Sequence, residues 1–253
     1  VSAAVLLTRS DADNQRLASK LARFGIPALS VPLLRIDALD ETPDQQRLML
    51  DIDRYQAVMV VSPVAARLGL ERLDACWPQL PEGIEWFAVG ETTASVLRAY
   101  GMPVHTPEAG QDSEALLRLP IWNELLARPG LKVLVWRGVG GREHLADHVR
   151  AAGGQVDYLE LYRRESPDGL AAALASAEQA GARGIVLTSG QGLEHWYTAA
   201  GEHWREQSTW RCWVPSQRVA DRAQTLGCND IIVCDGADDS AVLAAVAAHP
   251  LTR

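Results

Sequence analysis

Val5-Leu6-Leu7-Thr8-Arg9, with Leu17, Leu21 and Gly25 after it, is written a second time as Val133-Leu134-Val135-Trp136-Arg137, Leu145, Val149 and Gly153. Each position of the echo lies 128 residues on (9 to 137, 25 to 153). Both copies continue through another extended apolar piece, ending at Leu34-Arg35 and at Tyr162-Arg163 with the same offset. Further along, Ala57-Val58-Met59-Val60-Val61-Ser62 returns as Gly184-Ile185-Val186-Leu187-Thr188-Ser189, 127 residues on (62 to 189). Trp77 and Trp204 keep that spacing, Ala94 and Gly101 match Ala220 and Gly227 at 126 (101 to 227), and Asp112-Ser113 matches Asp239-Ser240 at 127 (112 to 239). Drift by one residue is what small loop insertions and deletions produce. So many matches in one order mark an internal duplication.

Each copy reads as strand, helix, strand, connector, then strand and helix in alternation. The strands are short runs rich in Leu and β-branched residues without clear alternation, as expected where both faces of a sheet are covered. Leu17, Leu21 and Phe24 show the helical period, and Gly25, Gly101, Gly153 and Gly227 follow helical stretches, where a left-handed terminating residue is favoured. Alternating strands and helices give mostly parallel sheets with right-handed crossovers. The expected class is α/β, with two similar parallel-sheet domains. Ile36–Pro43 and Arg164–Gly169 break the pattern inside each copy and read as connectors. Whether each copy folds by itself or the two exchange halves is open at this level.

A net charge of −8 argues against broad nucleic-acid binding, which needs clustered Lys and Arg, but leaves small anionic ligands open. No apolar run approaches the ~18 residues of a membrane span, and the first residues read as a buried strand rather than a secretion signal, which points to the cytoplasm. Cys76, Cys212, Cys228 and Cys234 show no C-x-x-C spacing, so they are expected to be reduced and mostly buried.

Open parallel sheets bind ligands beyond the carboxyl ends of their strands. That rule selects Thr8-Arg9-Ser10, Ser62-Pro63, Gly90-Glu91-Thr92, Trp136-Arg137-Gly138, Thr188-Ser189-Gly190 and Pro215-Ser216. All combine small or hydroxylated residues with helix starts, whose free N–H groups favour anions. The competing reading is that Ser62, Thr92, Ser189 and Ser216 simply cap helices. Arg137-Gly138-Val139-Gly140-Gly141-Arg142 is the richest local motif, but it is not G-x-G-x-x-G, and its counterpart has no glycine. His144 and His148 share a helix face, yet Arg16 and Lys20 stand at the matching places, so that face reads as solvated rather than metal-binding. Tyr162 stands out because its counterpart is Leu34. A hinge-type protein that closes on an anion and a nucleotide-dependent transferase are the rival functions.

Taken in order, Leu7-Thr8-Arg9, Val61-Ser62-Pro63, Ala88-Val89-Gly90-Glu91-Thr92-Thr93-Ala94, Arg137-Gly138 with Gly141-Arg142 and Leu145, Leu161-Tyr162-Arg163, Leu187-Thr188-Ser189-Gly190, Pro215-Ser216 with Arg218-Val219-Ala220, and Asp238-Asp239-Ser240 resemble the uroporphyrinogen-III synthase family across essentially the whole chain. The resemblance implies two α/β domains, residues 1–34 with 166–253 and residues 37–160, joined by a two-stranded connector at 34–37 and 160–166, with the active site in the cleft between them. It implies a monomer acting on hydroxymethylbilane, a linear tetrapyrrole with eight carboxylates, with possible transient hand-off from hydroxymethylbilane synthase. No metal or organic cofactor, nucleic acid or membrane is implied. By the family's pattern Tyr162 assists departure of the terminal hydroxyl. Arg9, Arg137 and Arg142, with amides and hydroxyls near Ser62, Gly90, Thr92, Gly138, Ser189 and Ser216, hold carboxylates; at Ser216 some relatives have threonine.

Overall fold

The computed structural model describes residues 3–107, 113–141 and 143–251, with the backbone alone for Ser113 and Glu114. Arg142 and Asp112, used in the sequence reading, lie outside the described residues. In chain order the elements are β1 (Ala4–Leu7), α1 (Asp11–Ala22), β2 (Ala28–Ser30), β3 (Arg35–Ala38), α2 (Pro43–Leu50), β4 (Ala57–Val60), α3 (Pro63–Cys76), β5 (Glu85–Ala88), α4 (Glu91–Ala99), β6 (Val104–His105), α5 (Ser113–Leu117) and α6 (Pro120–Leu126). There follow β7 (Lys132–Gly138), α7 (His144–Ala151), β8 (Gln155–Glu165), α8 (Leu170–Gln179), β9 (Ala182–Val186), α9 (Gly190–Ala200), α10 (Trp204–Gln207), β10 (Arg211–Val214), α11 (Gln217–Thr225), β11 (Ile231–Val233) and α12 (Asp239–Ala248).

Two compact units form, one from the chain up to Arg35 and from Glu165 onward, the other from Ile36–Arg164. The first holds a five-stranded sheet in the order β2-β1-β9-β10-β11, parallel throughout. The second holds a six-stranded sheet, β3-β8-β7-β4-β5-β6, parallel from β8 to β6. Corresponding strands therefore keep one order in both sheets. The opening strands of each copy, β1-β2 or β7-β8, pair with the later strands of the other copy. The two copies exchange halves.

Burial explains why the strands do not alternate. Leu6 packs into a core with Ile185, Trp196 and Val214, while its neighbours Val5 and Leu7 face Leu17, Trp213 and Val242 on the opposite side. In the second unit Val58 and Val60 join Trp136, whereas Ala57 and Met59 join Phe87 and Trp122. Each buried aliphatic side chain is worth about 1.5–3 kcal/mol, and helices on both faces make every strand position count. Gly25 and Gly153 terminate α1 and α7 with φ of 70° and 83°, the left-handed conformation expected of them. Cys212, Cys228 and Cys234 are buried and free, and Cys76 is partly buried and free.

The connectors carry more structure than their sequences suggest. Residues 35–38 are strand, and Thr42 opens α2 with a capping box closed by Gln45. The Gln45 side-chain amide also donates to the Glu160 carbonyl at 2.6 Å, fixing α2 to β8. β8 runs on to Glu165, and Gly169 then leads into α8. No helix among the described residues is long and apolar enough to cross a membrane.

Candidate functional site

In the second unit a register shift between Arg137 and Gly138 sets Tyr162 opposite Gly138, the kind of irregularity that re-aims a side chain. Absence of a side chain at Gly138 is what admits the ring: a Cβ there would lie 2.6 Å from Tyr162 Cε2 and 2.7 Å from Cζ. The Val139 amide donates to the Tyr162 carbonyl at 2.8 Å and holds the two segments together. Tyr162 is 1% exposed, so its hydroxyl needs protein partners. Ser62 Oγ lies 3.0 Å from the phenolic oxygen, and Arg164 Nη2 donates to that oxygen at 3.1 Å. The Arg164 guanidinium also flanks the ring, 5.5 Å from its centroid.

Ser62 is at the same time the N-cap of α3. Its backbone is extended, and its hydroxyl accepts the Ala65 amide at 3.0 Å. Pro63 at the first helical position makes the start sharp. Gly90 holds the N-cap position of α4 without a side-chain bond, and Thr92 sits exposed within the first turn. The capping role that Thr92 suggests therefore belongs to Gly90.

Arg137 departs from expectation. It is 7% exposed and turned inward: Nη1 donates to Glu143 at 2.9 Å, Nε to the Gly138 carbonyl at 3.2 Å, and Glu160 lies 3.8 Å away. Its guanidinium stacks 4.4 Å from the centre of the Tyr158 ring. A hydrogen bond from Tyr158, then one from Arg137, lowers the Glu143 carboxyl below its ordinary value, while burial, followed by that hydrogen bond, raises the Tyr158 phenol. A buried charge must be paired, and this one is paired internally. Gly138, expected to contact ligand, makes room for the Tyr162 ring.

In the first unit Arg9 shows the same turn inward. Nη1 donates to Asp239 at 2.5 Å, and Nη2 donates to the Ala237 carbonyl. Arg16 and Lys20 converge on the same carboxylate at 2.8 and 2.9 Å, which clamps the start of α12 against α1. Buried Asn14 shapes the loop around Arg9, accepting the Arg9 amide and donating to the carbonyls of Leu7 and Arg9. Ser189 caps α9 by accepting the Gly192 amide at 3.1 Å. Ser216 occupies the N-cap position of α11, yet its hydroxyl makes no cap bond.

Ser62, Gly138 and Tyr162 are thus brought together. Ser189 and Ser216 stand at the carboxyl ends of β9 and β10, while Arg9 and Arg137 are ion-paired to Asp239 and Glu143. Three further residues lie in or beside these clusters. Asn14 and Arg164 carry no local signal. Arg218 is exposed, with Nη1 4.0 Å from where a Cβ on Gly190 would stand at the start of α9.

These are α/β units with parallel sheets whose polar, helix-opening strand ends suit an anionic ligand. Residues 15–244 match the family described as "Uroporphyrinogen-III synthase HemD". The chain is 34% identical over 250 residues to uroporphyrinogen-III synthase of Salmonella typhimurium, covering 96% of this chain and 99% of that protein. The counterpart from Escherichia coli K12 is 33% identical over 249 residues, with the same coverage of each chain. Among solved structures, a mutant uroporphyrinogen III synthase of Thermus thermophilus superposes with a TM-score of 0.63 at 16% identity, covering 91% of this chain and 92% of that one. The Helicobacter pylori synthetase does so at 0.58 and 14%, covering 96% and 97%, and both likenesses speak for the fold. The chain belongs to the uroporphyrinogen-III synthase family.

Proposed function

We propose that this chain is a lyase that closes hydroxymethylbilane into uroporphyrinogen III, inverting the terminal pyrrole and releasing water, in tetrapyrrole (heme) biosynthesis. The observation that carries the reading, beside the family, is the buried Tyr162–Ser62 hydroxyl pair at the carboxyl edge of the second sheet. Loss of the terminal hydroxyl as water needs a proton at the departing oxygen, and this pair supplies one. The azafulvene so formed attacks the substituted carbon of the far pyrrole, and the spiro intermediate fragments and recloses. Holding a flexible chain in a productive curl is orientation work, and the helix starts at Ser62, Gly90, Thr92, Ser189 and Ser216, with the Arg218 guanidinium, are proposed to hold its carboxylates. Arg9 shapes its loop from within, and Arg142 is kept as a proposed carboxylate ligand.

Hydroxymethylbilane left alone closes to the uninverted type I ring, so the isomer ratio decides. Purified protein without added metal or nucleotide is expected to give predominantly type III. Type I alone, at the spontaneous rate, defeats the proposal and favours a protein that binds the tetrapyrrole without changing it. Tyr162→Phe is expected to lower turnover more than it weakens product binding. A monomeric cytoplasmic enzyme is part of the reading, and the lability of the substrate favours its transient hand-off from hydroxymethylbilane synthase; faster conversion in the coupled mixture than from free substrate is the expected sign.

A further inference from the structure

Which hydroxyl of the pair faces the substrate follows from counting donors and acceptors. A guanidinium has donors only, so the phenolic oxygen of Tyr162 accepts from Arg164. The phenolic proton must then point at an acceptor, because a buried hydroxyl without one is costly. Among the described residues the acceptor at hand is Ser62 Oγ, 3.0 Å away. That oxygen already receives the Ala65 amide. With both its lone pairs occupied, Ser62 keeps its own proton as the undirected one of the two hydroxyl protons among the described residues. The exposures run the same way, 9% at Ser62 against 1% at Tyr162.

We infer that Ser62, rather than the phenol, hands the proton to the departing hydroxyl of the bilane, with Tyr162 resupplying it and Arg164 acting as a positioning residue that holds the resulting phenolate. The inference rests on the function proposed above. As the carbon–oxygen bond breaks, the Ser62 proton joins the leaving hydroxyl to form water, and the Tyr162 proton moves to Ser62. The positive charge left on the azafulvene is discharged when the ring carbon that forms the last bond loses its hydrogen as a proton. That proton restores the phenol through Ser62, so the cycle balances with water as the only by-product. The start of α3 helps, because a helix N-terminus favours negative charge developing on its cap oxygen.

The test compares kcat and KM for type III formation in Ser62→Ala, Ser62→Thr, Tyr162→Phe, Arg164→Gln, Arg164→Lys and the double variant Ser62→Ala/Tyr162→Phe. Members of one relay fail together. Ser62→Ala and Tyr162→Phe are each expected to lower kcat by about 10²-fold or more, and the double variant by no more than the worse single. Ser62→Thr, which keeps both hydroxyl and cap, retains most of the activity and separates proton delivery from loss of the cap. Arg164→Gln is expected to lower kcat with KM little changed, and Arg164→Lys to restore part of it. If the wild-type protein makes type III while Ser62→Ala keeps its kcat, or if the two losses multiply, the relay is wrong and the function stands. An Arg164→Gln defect confined to KM would recast Arg164 as a carboxylate ligand and also overturn it. Wild-type protein that makes only type I removes the function and the relay together.

Discussion

Gly138→Ala offers the sharpest test of how the Tyr162 hydroxyl is placed. The new methyl would stand 2.6 Å from Cε2, 2.7 Å from Cζ and 3.1 Å from Cδ2 of the ring, so the ring must retreat by about 0.8 Å to reach ordinary contact. At 1% exposure there is no room to swing aside, and retreat stretches the 3.0 Å and 3.1 Å hydrogen bonds to Ser62 and Arg164. Overpacking of this kind costs about 1–3 kcal/mol. In a chain of this size that is a fall of roughly 2–12 °C in Tm. A misplacement near 1 Å costs about 10²-fold in rate. Gly184→Ala is the matched control, since its Cβ would meet the Trp213 ring at 2.7 Å in the core of the first unit, where no hydroxyl of the proposed relay lies. Differential scanning calorimetry and isomer-resolved turnover on both variants are expected to show similar losses of stability but a loss of kcat in Gly138→Ala alone. Equal turnover in the two, at equal loss of Tm, would refute the argument that the ring's position sets the rate.

Other substitutions separate structural from ligand-facing groups. The Asp239 carboxyl is held well below the usual carboxylate range, first by the hydrogen bond from Arg16, then by those from Lys20 and Arg9. A lowered folded-state value stabilises above the unfolded value of about 3.9 and is lost as the pH falls toward the folded one. Asp239→Asn is therefore expected to cost about 1–2 kcal/mol at pH 7, with the gap to wild type closing only below about pH 4 in thermal melts. Ser189→Ala removes a cap bond and is expected to cost about 1 kcal/mol. Ser216→Ala, whose hydroxyl caps nothing, is expected to leave Tm unchanged while weakening product binding in titration calorimetry. Arg137→Gln removes the buried cation that faces Glu143 and Glu160, although Glu143 keeps its bonds from Tyr158 and Arg150, so a loss of about 1–3 kcal/mol without a matching loss of product affinity is expected; the reverse pattern would return Arg137 to the ligand.

The α/β class was legible because covered strands and amphipathic helices leave local marks. Leu17 and Leu21 at helical spacing both prove buried, and all four residues of β1 and of β4 are buried. Ser62 and Ser189 were legible as helix starts for the same reason: a cap is a local device. The exchange of halves was not, since β4 and β9 are both short strands with a buried apolar run and nothing in either names the neighbour it joins. Arg9 and Arg137 have internal partners for a tertiary reason. An arginine at a strand end looks free in sequence, but the carboxylate that claims Arg9 is Asp239, at the opposite end of the chain. Arg164 was invisible because its significance lies in the atom it reaches, two residues back on an edge whose bulge no pattern announces. The helices α2 and α8 begin where the two connectors end, and the cap that opens α2, Thr42 with Gln45, spans the boundary of the first connector.

The correspondence between the copies bears on why the proposed chemistry would belong to one of them. Ser62 and Ser189 sit 127 residues apart with nearly the same backbone, φ and ψ of −158° and 158° against −159° and 158°, and each accepts the amide three residues on. Two equivalent helix starts therefore exist, but only one has a phenol beside it. The position matching Tyr162 is Leu34, and the one matching Gly138 is Ser10, whose side chain is used to cap α1. A tyrosine at 34 would thus lack the gap that glycine leaves in the second unit, and freeing that gap would cost the first unit a cap. Because both changes must occur together, the proton-bearing arrangement is confined to the second unit. The first is left with strand ends suited to holding carboxylates. Leu34→Tyr in a Tyr162→Phe background is accordingly expected to restore no turnover, and any recovery of type III formation would show that the two helix starts are interchangeable.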